Sequence, residues 1–531
     1  MALESATDLS IKGNLEQFLV VLSVSLSVAT ISRVFSWFRA IPYTLLLVIV
    51  GLGLAFINVR LVNLSPELIL EIFLPPLLFE AAWNMRWRDL KANWIPVSLF
   101  AIVGVIISVV GVAMATSQLA GLPIAIALLL GASLSATDPV SVVALFRELG
   151  ASKRLTVVME GESLFNDGVA VVAFLLLVGI PLGIEEFSVP TTIARFVAFV
   201  GIGTGAGALV GFGISYLTQR FDLPLVEQSL TLVSAYGTYL IAEELGGSGV
   251  IGVVSVGLIL GNFGSRIGMN PRTRLIVSEF WEFLAFFVNS IVFLLIGDQI
   301  QFASLAEHFR LILVAIAAVV LTRVAVIFGL GLISNWLSPI KIDWREKTVL
   351  WWGGLRGGVS IALALSVPTL LEGRQEIIDA VFGVVLFTLL FQGLTTRLFL
   401  EKLDLIGDRP QRQEYSEILA RRTALGKVLD YLAQLETSAN IDPEFCRYQQ
   451  GLVKGQLKSL EEESYQLQLR YPQLQSIELE RLREKLFDIE ADTYAEFIRS
   501  GYLDRNLSPL LTEVMDEAIE RTIREEVRSD A

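Results

Sequence analysis

The run Glu160-Gly161-Glu162-Ser163-Leu164-Phe165-Asn166-Asp167 sets carboxylates, a hydroxyl and an amide at the head of an apolar stretch that continues to Ile180. If that stretch is helical, Ser163 and Asp167 share one face and Glu162 and Asn166 form a second stripe beside it. Glu160 returns to the first face, ~10 Å from Asp167 at the helical rise. A second group, Ser135-Ala136-Thr137-Asp138-Pro139, puts a carboxylate inside another apolar run. Pro139 has no N–H and disfavours helix at the residue before it, so the backbone around Thr137 is expected to fray and free a carbonyl. A third group, Gly353-Gly354-Leu355-Arg356-Gly357-Gly358, surrounds an arginine with glycines that weaken a helix.

Together the first two groups offer carboxylate oxygens from Asp138 and Asp167, a hydroxyl from Ser163 and a backbone carbonyl from Thr137. These are hard oxygen donors suited to a small alkali cation. A carboxylate removed from bulk water holds its proton more tightly, whereas a bound cation favours its ionised form. Proton and Na⁺ therefore compete for the same oxygens. A carrier that moves only when loaded with one or the other is an exchanger.

Other ionisable residues at membrane depth need a partner, water or a function. Arg323 and Arg356 have no acidic neighbour in sequence, and Glu162 is a plausible partner for either. A structural ion pair is the expected role of Glu162 and these arginines. Glu160 and Glu80 could line a cytoplasmic access funnel, with Glu80 able to reach the interface by snorkelling. Glu71 and Asp298 fit interfacial or packing roles, and His308 fits a solvated residue in an outer connector.

The elements that carry these groups follow from composition. Of 531 residues 53% are hydrophobic and 18% charged, too apolar for ordinary soluble usage. Spans of ~20 apolar residues number about thirteen. They lie near 15–35, 41–57, 66–84, 94–116, 122–147, 154–180, 192–218, 224–245, 249–264, 276–303, 310–336, 346–371 and 376–400. The fold expected is an all-α polytopic membrane protein.

Basic residues gather in alternate connectors: Arg33 and Arg39; Arg86, Arg88 and Lys91; Arg147, Lys153 and Arg154; Arg220; Arg266, Arg272 and Arg274; Lys341, Arg345 and Lys347. These connectors should be cytoplasmic, with the N-terminus outside. The intervening ones hold only Arg60, Arg310 and Arg374 as basic residues, beside acidic pairs such as Glu185-Glu186 and Glu243-Glu244. The fifth and twelfth spans carry the breaks and lie seven spans apart, hence in opposite directions. That points to inverted repeats with a site where the broken helices meet.

Three regions result: 1–13, an acidic extracytoplasmic segment without the basic n-region of a signal peptide; 14–400, the transmembrane domain; and 401–531, a soluble helical tail. From Glu401 onward there are 27 acidic and 18 basic residues, so most of the net charge of −13 sits in the tail. Nucleic acid is not an expected partner. Cys446 and His308 are the only cysteine and histidine, which excludes an internal disulfide and a Cys/His metal site.

Four blocks in order, Phe73-Leu74-Pro75-Pro76-Leu77-Leu78-Phe79-Glu80, Ala136-Thr137-Asp138-Pro139, Gly161 to Asp167, and Gly354-Leu355-Arg356-Gly357-Gly358, resemble the NhaP-type sodium/proton antiporters of the cation/proton antiporter superfamily. Animal sodium/hydrogen exchangers belong to the same branch. The resemblance covers about Leu15 to Leu400. It implies a homodimer of thirteen-span protomers in the plasma membrane, serving pH and sodium homeostasis. Each protomer would have a core bundle around spans 4–6 and 11–13, with crossed, unwound fifth and twelfth helices, and a dimerisation domain of spans 1–3 and 7–10. By the same resemblance, Asp138, Ser163, Asp167 and the Thr137 backbone are the Na⁺ ligands. Glu162, Asn166 and Arg323 organise the site, with Arg356 near the twelfth-span crossing. The Asn166-Asp167 pair is similar to the electroneutral branch. No cofactor is implied beyond the transported Na⁺ and H⁺. The tail lies outside the resemblance, and its length suggests a regulatory ligand or protein partner.

Alternatives stand beside this reading. K⁺ or Li⁺ could replace Na⁺ in the same fold. A cation channel needs a continuous pore and a selectivity filter, and no short filter loop is visible. An intramembrane aspartyl protease also carries two membrane aspartates, but with tyrosine-aspartate and glycine-x-glycine-aspartate contexts that are missing here. An enzyme is not expected.

Overall fold

The computed structural model describes residues 19–471, apart from 33, 36–40, 58–60, 62–64, 185–187, 220–222, 339–340, 407–408 and 437–442, with isolated positions up to 497. The 1–13 segment, just under half of the tail, and the connector residues Arg33, Arg39, Arg60, Glu185, Glu186 and Arg220 lie outside the described residues. The chain divides into two compact units, Met1–Leu405 and Ile406–Ala531.

Among the described residues, regular structure in the first unit is helical throughout. The chain opens with α1 (Leu19–Ser32), α2 (Tyr43–Phe56), α3 (π-helical over Leu68–Phe73, then Leu74–Asn84) and α4 (Trp87–Ala92). Then come α5 (Trp94–Ala120), α6 (Ile124–Ser133), α7 (Val140–Leu149), α8 (Lys153–Leu177), α9 (Val189–Thr218) and α10 (Pro224–Glu244). They are followed by α11 (Gly249–Ser265), α12 (Pro271–Asp298), α13 (Phe302–Glu307) and α14 (Phe309–Leu337). The unit closes with α15 (Trp344–Trp352), α16 (Gly358–Leu365) and α17 (Arg374–Lys402). Five of the described helices, α5, α9, α12, α14 and α17, are long and apolar enough on their own to cross a bilayer.

Local chemistry explains where these helices start and stop. Pro139 precedes α7, and Gly150, left-handed at φ 70°, ends it. Ser152 caps α8 by accepting from the N–H of Leu155. Asp343 and Glu346 form a capping box on α15. Asn270 caps α12, which begins at Pro271, earlier than the apolar run from 276 suggests. The short helices α4 and α13 sit in connectors where apolar periodicity gives no signal.

Packing sorts the unit into two sets of helices. The scaffold set, α2, α3 and α9–α12, packs mainly on itself, as does the second set, α4–α8 with α13–α17. Inside the scaffold set α2 and α12 cross at Gly51 and Gly297, where an added Cβ would lie 2.2 Å from Leu294 O and 2.3 Å from Val48 O. Only glycine lets the two backbones approach so closely. Between the sets, α8 touches α3, α9 and α11, α16 touches α3 and α12, and α2 touches α7 and α17. One buried hydroxyl pair joins them, Thr44 Oγ1 on α2 and Ser141 Oγ on α7 at 2.7 Å.

In the second unit, α18 (Arg409–Glu436) and α19 (Pro443–Arg470) pack on each other. Tyr415, Ile418, Leu460, Leu467 and Leu474 form their buried core. Polar residues fill most other positions, as an amphipathic pair of soluble helices requires.

Candidate functional site

Both sequence-predicted breaks are real interruptions, and they meet. Residues 134–139 separate α6 from α7, and 353–357 separate α15 from α16. The backbone N–H of Asp138 donates to Leu355 O at 2.9 Å, one break bonding directly to the other. Arg356 Nη1 donates to Ala136 O at 3.1 Å, and Ser360 Oγ reaches the same carbonyl at 3.4 Å. Unwound backbone at membrane depth must find partners inside the protein, and here the two breaks supply them to each other.

The first break is also tied to α8. Ser163 Oγ donates to Thr137 O. Asn166 bonds Thr137 twice, donating from Nδ2 to Oγ1 at 2.5 Å and accepting from the Thr137 N–H at 3.3 Å. Asp138 Oδ1 accepts from the N–H of Val140 at 3.0 Å, so the first turn of α7 holds the carboxylate. Asp167 lies within electrostatic reach of both Asp138 and Arg356. The oxygens of Thr137, Asp138, Ser163 and Asp167 thus come from the first break and one face of α8.

Burial separates these residues into two kinds. Thr137, Glu162, Ser163, Asn166, Arg323 and Arg356 are all buried, whereas Asp138 and Asp167 are each only half-buried. Glu162 pairs with Arg323, Nη1 to Oε1 at 2.8 Å and Nη2 to Oε2 at 3.3 Å, a two-pronged bond. Arg323 also donates from Nε to Leu350 O and Trp351 O and from Nη2 to Leu350 O. Those carbonyls belong to the last turn of α15, which the glycine break leaves without helical partners. A cation at a helix C-terminus is further favoured by the helix dipole. The arginine that pairs with Glu162 is therefore Arg323, and Arg356 holds the crossing.

Glu160 accepts from Arg147 Nη2 at 2.6 Å. Glu80 accepts from Asn84 Nδ2 at 2.6 Å and has Arg147, Glu160 and Glu282 as its charged neighbours. Asp298 is buried and accepts from the N–H of Leu61 at 3.0 Å, while Glu71 is exposed.

The expectation for His308 needs correction. It is partly exposed but not a purely solvated residue: Nδ1 lies 2.8 Å from Oδ2 of the buried Asp379 on α17. Asp379 also accepts from Ser304 Oγ at 2.5 Å and from Gln375 Nε2 at 3.0 Å. A carboxylate on a span needs donors, and the nearest connector supplies the imidazole. The sequence reading also missed Thr388, whose Oγ1 accepts the backbone N–H of Arg356 at 3.1 Å. Lone hydroxyls on apolar helices carry no periodic signal, but the unpaired N–H groups of a glycine-rich break call for an acceptor nearby.

The family model for the transmembrane part of sodium/hydrogen exchangers matches residues 23–402, which contain every group just described. The chain belongs to the sodium/hydrogen exchanger family. It is similar to the Na⁺/H⁺ antiporter ApNhaP of Aphanothece halophytica, 68% identical over 97% of this chain and 99% of that protein. It is also similar to the low-affinity Na⁺/H⁺ antiporter NhaS1 of Synechocystis, at 63% identity over 96% of this chain and 98% of that one. In fold it resembles the solved sodium/proton antiporter MjNhaP1 of Methanocaldococcus jannaschii. That match has a TM-score of 0.58 at 20% identity and covers 74% of this chain and 99% of the other. The exchanger family is one of multi-pass membrane transporters and not of enzymes, and this chain is an all-helical member with that fold.

Proposed function

We propose that the chain exchanges Na⁺ for H⁺ by alternating access, with Asp138, Asp167, Ser163 and the Thr137 carbonyl as the ion ligands. One observation carries this reading. At the crossing of two interrupted helices, a sealed network holds two carboxylates that alone among the charged groups there remain partly accessible. The buried groups, Ser163 and the Thr137 carbonyl among them, fix the shape of the site, and the two carboxylates can trade a proton for an ion. The names of the near-full-length relatives support sodium as the cation.

Counting each interrupted pair as one span, we read thirteen crossings related by inverted repeats, with α6–α7 and α15–α16 in corresponding places. Two helix sets with few contacts between them support a mobile core working against a scaffold that also forms the dimer interface. Glu160 and Glu80 line the cytoplasmic approach, where Arg147 faces them. The N-terminus is outside, the tail is cytoplasmic and regulatory, and the plasma membrane is the site of action. Asn166 cannot trade a proton, which supports one proton per cation.

The test is purified protein in acid-loaded proteoliposomes. Adding external Na⁺ should drive protons out with the membrane potential clamped at zero, and Asp167→Asn should remove the response. Sodium uptake without any proton movement would identify a channel and overturn the proposal.

A further inference from the structure

Gly357, the last residue of the second break, precedes α16 with φ −145°, so left-handed backbone is not the reason for a glycine there. Space calls for a glycine there. A Cβ built on Gly357 would stand 2.1 Å from Asp138 Oδ2, 2.6 Å from its Cβ and 2.7 Å from its Cγ. The Asp138 side chain occupies the volume that any other residue would need. At the adjacent Gly358, a Cβ would first meet Val292 Cγ1 at 3.1 Å and would leave Asp138 alone.

We propose that Gly357 is a specificity-determining residue: its missing side chain is the seat of the Asp138 carboxylate, and it thereby sets the width of the cation site. The first break is bonded on one side to the second break, through the Asp138 N–H, and on the other to α8, through Thr137. A methyl group at 357 pushes the carboxylate off its seat and toward the Ser163 and Asp167 face of α8. The oxygens close in. Selectivity among cations of one charge depends on cavity size and ligand freedom, so a narrowed site favours Li⁺ over Na⁺ and Na⁺ over K⁺. The inference rests on the ion ligands proposed above.

The experiment measures half-saturating concentrations of LiCl, NaCl and KCl for thermal stabilisation of the purified protein, at ionic strength held constant with choline chloride. A ligand that binds only the folded state raises the melting temperature, so binding is read without transport. Gly357→Ala should change the Li⁺ to Na⁺ preference by about tenfold, the lower end of what one methylene does in a fitted pocket. Gly358→Ala should keep the wild-type preference. Equal weakening of all three cations in Gly357→Ala, or a matching shift in Gly358→Ala, would overturn the proposal, because the effect would then belong to the backbone of the break. If Gly357→Ala does not fold, Asp138→Glu lengthens the acid against the same glycine and should move the preference the same way; a folded Asp138→Glu with unchanged preference also overturns it. Wild-type protein that moves no protons with Na⁺ in proteoliposomes would sink the exchange reading itself, an outcome separate from the preference ratios.

Discussion

Glu162 and Asp167 share α8 but not an environment. Glu162 is 2% exposed and bonded to Arg323 by both carboxylate oxygens, while Asp167, beside Asp138, keeps a small partial exposure and has no such bonded counter-charge among the described residues. Their variants should therefore fail differently. Asp167→Asn should abolish exchange with little change in thermal unfolding, since the amide keeps the shape and loses the titratable charge; retained exchange would remove Asp167 from the mechanism. Glu162→Gln should destabilise the protein by ~3–5 kcal/mol, because it leaves a buried guanidinium without its counter-charge. Arg323→Gln should cost a similar amount, and the double variant should recover part of the loss. Additive losses in thermal unfolding would show that the pair is not coupled.

At the scale of elements, the breaks were legible because proline and glycine announce them: Pro139 and the glycines around Arg356 interrupt otherwise continuous apolar runs. What the breaks do with their freed backbone was not legible. Arg323 could have served either end of the bundle, and only three-dimensional packing gives it the Leu350 and Trp351 carbonyls. Arginines recur in this duty: Arg310 donates to Leu119 O at the end of α5, and Arg374 to Leu365 O and Val367 O at the end of α16. Charge bias alone would count both only as outer positive residues. His308 was misread for the same reason, since its partner Asp379 lies 71 positions along the chain. The support of the second break is testable through Thr388. Thr388→Val strands the N–H of Arg356 and should cost ~1–3 kcal/mol in thermal unfolding, while Thr388→Ser should restore it. An unchanged melting temperature in the valine variant would mean that the break needs no such anchor.

For the whole molecule, alternating access requires the two helix sets to slide, and the Thr44 to Ser141 hydroxyl pair spans the surface on which they would do so. Cysteines at both positions, in a Cys446→Ser background that removes the only native thiol, should crosslink under oxidation, stop exchange and release it on reduction. A crosslinked protein that exchanges at the wild-type rate would refute sliding at this surface. The charge carried per cycle is a second property of the whole. If Asp138 stays ionised while Asp167 alternates between a proton and Na⁺, the loaded site has the same net charge on both legs of the cycle. The most direct measurement is the reversal point of exchange in proteoliposomes, where proton and sodium gradients balance, read as the membrane potential is varied. The account predicts a reversal point that does not move with voltage; a displacement of about 2.3 kcal/mol per 100 mV for each net charge would contradict it and require a second proton from Asp138 or Glu160 in every cycle.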